Sequence, residues 1–451
     1  MRPRHTGGLM DGPLSSARQA NNKGNARRWR PYVTNACLLA GAKILQLVLF
    51  AVLARKLGTE KFGEIALGFT LVNILIPLTS LGAPTYAIRE FSRALDFVTT
   101  LRFTSAAGIA LSSVSGILGL TYGIYLAWWH PSSAPTHALF VTMIFLVIFT
   151  YSNIREAALR VLREYFKALA PREIFAPLLA ISGVLLTGSE SATGVVITLA
   201  VAYGFPELIG WAMFLKGRGY VGGPRGGASS QIRMKPFRSE TRRLLTEGFT
   251  LGFGVFTKVL LQRMDLVLVG VFFGVSHAGI YAVGHRLAQA FNLIGRGVAL
   301  TAVPELASIL HMRGFFAARR FAMALSLKVG SIAGLCLAPI SLFPEAVINA
   351  YAGPEYRSGA GVLLALAAGQ AFNAATNSVT QLVQLAGQEK VVTGATALVT
   401  ICAAAFQLAA AFYGTPTTVA WVSAVSLIAL NLYLVWFCTR PSIFRIEHGK
   451  G

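Results

Sequence analysis

Apolar runs of roughly 18 residues or more recur along almost the whole chain, and a run of that length can cross the hydrocarbon core of a bilayer as a helix. Twelve are read, at 34–55, 62–86, 104–129, 137–157, 174–188, 192–215, 246–272, 279–302, 324–344, 359–385, 390–412 and 415–438. The chain is therefore expected to be an all-α integral membrane protein with about 12 transmembrane helices. Only 13% of its residues are charged, against about 25% in soluble domains.

The net charge of +22 does not signal nucleic-acid binding. The basic residues lie in alternate gaps between apolar runs, without an RRM, zinc-finger or helix-turn-helix pattern. About 30 of the 40 Lys and Arg residues fall in the gaps after runs 2, 4, 6, 8 and 10 and in the tails, as positive-inside topology requires. Both termini are then cytoplasmic. Residues 1–33 read as a disordered basic tail without a signal-peptide core, and 439–451 as a second tail. The Gly/Ser/Arg-rich segment 216–245 reads as a basic linker held near anionic lipids. It separates six-helix bundles at 34–215 and 246–438. Residues 155–172, with Leu159, Leu162, Phe166 and Leu169 at helical spacing, read as an interfacial helix. The four cysteines form no CxxC pair, and no metal site is expected.

The halves carry a repeat. Aligning Gly58 with Gly274 matches Gly63 to Gly279, Ala66 to Ala282, Gly68 to Gly284 and Leu71 to Leu287. After a one-residue slip, Gly82 meets Gly297 and Glu90 meets Glu305. Each copy sits between the first two helices of its half, where glycines suit a tight turn and close helix approach. Halves with even helix numbers insert in the same orientation, related by an axis along the membrane normal, as in alternating-access transporters.

These residues also resemble a known family. "LARKLGTEKFGEIALGFTLVNILIPLTSLGAPTYAIRE", "DLVLVGVFFGVSHAGIYAVGHRLAQAF" and "VINAYAGPEYRSGAGVLLALAAGQAFNAATNSVTQLVQLAGQEK" resemble Wzx-type polysaccharide flippases of the multidrug/oligosaccharidyl-lipid/polysaccharide (MOP) exporter superfamily. The resemblance covers roughly residues 34–438. It implies two six-helix bundles around a central cavity, and transfer of undecaprenyl-diphosphate-linked oligosaccharide across the bacterial inner membrane. The family signature falls on Arg55, Gly58 and Gly63 in the first half, and on Asp265, Gly270, Gly279 and Tyr281 in the second. Leu49 aligns with Asp265, so the halves are not chemically equivalent. Other polysaccharide-assembly proteins are candidate partners.

Six cations fall inside the apolar runs, more than two residues from either end: Lys43, Lys258, Arg263, Arg286, Arg296 and Lys328. Such groups normally face a cavity or a partner, because a charge at mid-membrane costs about 2.5–3.5 kcal/mol on insertion scales. Lys43, Lys258, Arg286 and Arg296 are the expected cationic lumen for a diphosphate or acidic sugar, with snorkelling or structural ion pairing as the plain alternative. Lys43 precedes Gly58 by 15 residues and Lys258 precedes Gly274 by 16; that offset rotates one of them by about 100°. Glu64, Glu207 and Asp265, with Arg263 near the last, are candidates for proton or sodium coupling or for structural pairs. Gly63 is followed by Glu64 where a P-loop has Lys, so direct ATP use has no motif and no cofactor is expected. An enzyme such as a polymerase would need an aqueous catalytic loop, and no HExxH or GxSxG motif occurs. A drug/cation antiporter of the same superfamily, and a scaffold without transport, are the other readings.

Overall fold

A computed structural model describes residues 13–80, 135–161, 164–188, 191–216 and 249–440. The third apolar run, the linker, the end of the second run with Gly82 and Glu90, residues 1–12 and residues 441–451 lie outside the described residues. Within them every regular element is helical. The helices are α1 (Pro13–Thr79), α2 (Pro135–Val161), α3 (Tyr165–Ala170), α4 (Ala176–Thr187), α5 (Ala192–Lys216), α6 (Phe249–Phe273), α7 (Val275–Gln289), α8 (Phe291–Leu342), α9 (Pro344–Tyr351), α10 (Ala360–Leu385), α11 (Glu389–Tyr413) and α12 (Pro416–Thr439). A π-helical turn, Pro171–Phe175, joins α3 to α4, and a 3₁₀ turn, Pro354–Gly359, leads into α10. Seven stretches among the described residues are long and apolar enough to cross a membrane.

Large apolar side chains point outward along these helices: Leu186 is 86% exposed, Leu335 76% and Ile401 69%. A water-soluble surface does not carry so many contiguous apolar groups; lipid is their solvent. Inside, a core joins Leu53, Phe62 and Phe69 of α1, Phe145 of α2 and Leu199 of α5 to Tyr281 of α7 and Leu363 and Leu366 of α10. It runs continuously from the N-terminal to the C-terminal elements.

Two boundaries differ from the sequence reading. Residues 13–33, expected to be a disordered tail, continue α1 as helix. Residues 165–187 form one membrane-crossing stretch, so the interfacial helix expected over 155–172 is instead the end of α2 and the start of the next crossing. Phe166 is 59% exposed while Leu169 is buried, and Leu162 lies outside the described residues.

Each of three long apolar segments folds back or kinks at a glycine with one backbone geometry. Gly58 has φ 71 and ψ 178, Gly314 φ 78 and ψ 177, and Gly274 φ 90 and ψ 169. Positive φ with extended ψ is essentially glycine-only. Gly58 and Gly274 are the aligned glycines of the repeat, so the two copies share a turn as well as a sequence.

Candidate binding cavity

The repeat explains how the two halves touch. A Cβ built on Gly63 would collide with the Val275 carbonyl and the Gly279 nitrogen; one built on Gly279 would collide with the Thr59 carbonyl and the Gly63 nitrogen. Since Thr59 aligns with Val275 and Gly63 with Gly279, this is a pseudo-two-fold contact, with each half offering the same backbone patch to the other. Thr59 Oγ1 and Ser276 Oγ add a hydrogen bond of 2.8 Å. Gly270 similarly admits Leu67 of α1. Glu64, one residue beyond Gly63, is buried.

Around this contact lie polar ties between α1 and the α9–α10 region. Arg55 donates from Nε to the Tyr351 carbonyl at 3.2 Å and from its terminal nitrogen to the Ala350 carbonyl, where the C-terminal dipole of α9 favours a cation. The Tyr351 hydroxyl donates to the Leu47 carbonyl at 2.8 Å, and that of Tyr356 to the Ala54 carbonyl at 3.1 Å. Among the described residues, these bonds close the end bearing Gly58 and Gly274.

A cavity of about 370 Å³ lies deeper, between the halves. Lys43 lies 15 residues from Gly58, about 22 Å along a helix. On one wall are Lys43, Gln46, Phe50, Phe69 and Asn73 of α1, Phe149 and Asn153 of α2, Arg172 and Glu173 of the π turn, and Tyr203 of α5. Facing them are Val255, Val259, Gln262 and Arg263 of α6, Arg286 and Gln289 of α7, and Asn292 of α8. Among the described residues of the lining, Lys43, Arg172, Arg263 and Arg286 are cations and Glu173 is the one carboxylate.

The expected lumen cations separate in this arrangement. Lys43 and Arg286 line the cavity; Lys258 does not, and is exposed on α6. The cavity face of α6 follows 255, 259, 262 and 263, the i, i+4, i+7, i+8 stripe of one helix side. Lys258 sits at the edge of that stripe, about 40° from Gln262 and about 60° from Val255, but is not among the lining residues, while Arg263 is. Arg296 lies on α8, but its side chain is outside the described residues. Lys328 is exposed.

Arg286 stacks over the Phe50 ring at 3.8 Å, a cation–π contact across the two halves. Its guanidinium N–H groups make no hydrogen bond among the described residues. Lys43 is engaged: it donates to Gln46 Oε1 at 2.7 Å and to Glu173 Oε2 at 3.1 Å.

The acids expected near membrane depth have other surroundings. Asp265 is buried, accepting the Tyr281 hydroxyl at 2.7 Å and the Leu266 amide at 2.8 Å; both signature residues thus fasten α6 to α7. Glu207 is buried and takes Arg155 Nε and NH2 at 3.0 Å each and the Ser152 hydroxyl at 2.8 Å. Arg155, fully buried, also donates to the Lys167 and Ala168 carbonyls, so this cluster ties α2, α3 and α5 together. Neither Asp265 nor Glu207 lines the cavity.

Arg172 and Glu173 are the site residues that sequence reasoning misses. By hydropathy alone they fall at the last charge of a basic gap and the edge of a span. The π turn, closed by the Ala176 amide on the Pro171 carbonyl, carries both into the crossing stretch and onto the cavity wall. An acid directly after Pro-Arg at the mouth of an apolar run is the available signal.

The model of the polysaccharide biosynthesis protein family matches residues 34–310, more than half of the chain. The chain belongs to that family. No curated protein matches it. Among solved structures, it is similar to an inward-facing MATE multidrug-resistance transporter of the MOP superfamily (TM-score 0.62, 14% identity, 89% of this chain and 97% of that one). It is also similar to the lipid II flippase MurJ in an inward closed conformation (TM-score 0.59, 15% identity, 91% and 89%). A third is a MOP transporter from Pyrococcus furiosus described as having a binding pocket of reversed polarity (TM-score 0.55, 14% identity, 90% and 94%). At such identities the likeness shows the fold: this family member is a multi-pass membrane protein with the MOP transporter architecture.

Proposed function

We propose that this protein flips a lipid-linked oligosaccharide, of the undecaprenyl-diphosphate class, across the bacterial inner membrane by alternating access. The observation that carries this reading is the cavity between the halves, where four cations face one acid among the described residues. A diphosphate entering a low-dielectric space needs charge-assisted donors, and guanidinium groups supply them in a planar fork that fits phosphate oxygens. The carboxamides of Gln262, Gln289 and Asn292 beside Arg286 suit sugar hydroxyls. A cation antiporter would need the opposite balance of charge. Membership of a polysaccharide biosynthesis family and the fold shared with a lipid flippase point the same way.

By the positive-inside rule, the sealed end faces the periplasm and the cavity faces the cytoplasm, where such a cargo is loaded. Deletion of the gene, followed by leaflet-resolved analysis of lipid-linked glycans, tests the proposal. Undecaprenyl-diphosphate oligosaccharide should accumulate on the cytoplasmic face. Normal glycan export with lost drug resistance would overturn it, as would unpolymerised units gathering on the periplasmic face.

A further inference from the structure

Among the described residues, Glu173 is the one carboxylate in the cavity wall, and it is only 5% exposed. Three donors from two elements converge on it. Lys43 Nζ and Gln46 Nε2 of α1 reach Oε2 at 3.1 and 2.8 Å, and the Arg172 guanidinium reaches Oε1 at 3.2 Å. An ammonium, an amide and a guanidinium aimed at two oxygens form the donor set that a phosphate group takes. The two cations also have partners besides Glu173. Arg172 donates to Asn153 Oδ1 at 2.7 Å, pairs with Glu156 at 3.4 Å and lies 5.3 Å from the Phe149 ring centroid. Lys43 is fixed by Gln46 Oε1. If Glu173 withdrew, the cations would stay in place with their donors facing the cavity.

We infer that Glu173 is a built-in competitor for the anionic cargo: its carboxylate occupies the phosphate-binding position on the N-terminal wall when the cavity is empty, and exchanges with the cargo phosphate on loading. This rests on the reading of the cargo as anionic. The exchange has two consequences. An empty cavity with uncompensated buried cations would be costly and would trap any small anion, and the internal carboxylate removes both problems. Return of Glu173 also helps to displace the cargo after transfer, because both compete for the same donors. The π turn gives the side chain a way to move. It holds one residue more than an α turn, such bulges concentrate at functional sites, and rotation about the Glu173 side-chain bonds takes the carboxylate off the donors while Asn153 keeps Arg172 in place.

The test uses the full chain in nanodiscs of phosphatidylcholine, which supplies no competing anionic headgroup, with inorganic pyrophosphate as the probe and calorimetry as the readout. Glu173→Gln, nearly isosteric and neutral, should bind pyrophosphate at least about tenfold more tightly than the parent, and in proteoliposomes should flip lipid-linked cargo more slowly because release loses its competitor. Glu173→Asp keeps the charge but shortens the reach, and should fall between the two. A merely structural role for Glu173 would weaken binding on substitution, never tighten it. Equal or weaker binding by both variants, with pyrophosphate still bound by the parent, overturns the inference and leaves the anionic cargo standing. Absence of binding by the parent and both variants overturns the anionic reading and the inference together.

Discussion

At the residue scale, position on the helix decides which membrane-embedded charges can act. Arg286 and Lys258 are both cations within apolar runs, yet Arg286 lines the cavity over Phe50 and Lys258, exposed at the edge of the lining stripe, does not. Arg286→Ala is therefore expected to lower flipping in proteoliposomes more than tenfold, and Lys258→Ala to leave it within about twofold. Equal losses would show that the cavity cations have been misassigned. Tyr281→Phe tests a different kind of residue. It removes the hydroxyl that donates to buried Asp265, leaving a carboxylate oxygen short of a partner, which costs about 1–3 kcal/mol. Its unfolding temperature in detergent should fall while the cavity keeps its affinity for anions. Glu207→Gln should be harsher, because fully buried Arg155 would lose its counter-charge; breaking such a pair costs about 3–5 kcal/mol, and reduced yield of folded protein would report it.

At the scale of elements, glycines that look alike in sequence do different work. Gly63 and Gly279 mark the closest backbone approach of α1 and α7, whereas a methyl group added to Gly334 of α8 would meet no atom within 4 Å. Gly63→Ala and Gly279→Ala must each push the halves apart, at a cost of about 1–3 kcal/mol for overpacking. Gly334→Ala should be neutral or stabilising by about 0.5–1 kcal/mol, since alanine is the better helix former. Thermal unfolding of the three variants separates them by sign, and equal shifts would contradict the contact. Sequence makes the repeat visible through its spacing, and the glycine-only turns at Gly58 and Gly274 follow from it. The partner of each glycine stays hidden. The sequence reading places the close approach between adjacent helices, and only the folded arrangement brings the two copies against each other. The cavity is partly readable for a similar reason. Lys43 and Arg286 stand out as charges in apolar runs, but choosing between Lys258 and Arg263 needs the helix phase, and finding Glu173 needs a π turn that leaves no periodic mark.

For the molecule as a whole, the proposed transport joins the seal and the cavity in one mechanism. Two halves that meet at a pseudo-symmetric backbone contact can rock about it as rigid bodies, exposing the cavity to one side or the other. The described state closes the end bearing Gly58 and Gly274, and Arg55 is its principal charged tie, donating to the Ala350 and Tyr351 carbonyls. These bonds exist only while that end is shut, so they bias the equilibrium toward the sealed state without touching the cargo. Charge-assisted hydrogen bonds contribute about 1.5–3 kcal/mol; Arg55 is exposed, which favours the lower figure, and about 1.4 kcal/mol is tenfold in population. Arg55→Ala should therefore raise the open fraction at this end by about tenfold. The reporter is a cysteine at Leu47, which lines the cavity, in a chain whose own cysteines are replaced by serine. A membrane-impermeant thiol reagent added from the side of the sealed end should label it slowly in the parent and about tenfold faster in Arg55→Ala, while pyrophosphate affinity stays unchanged. Unaltered labelling would mean that the seal is held by the Gly63–Gly279 contact alone, and that Arg55 only decorates it.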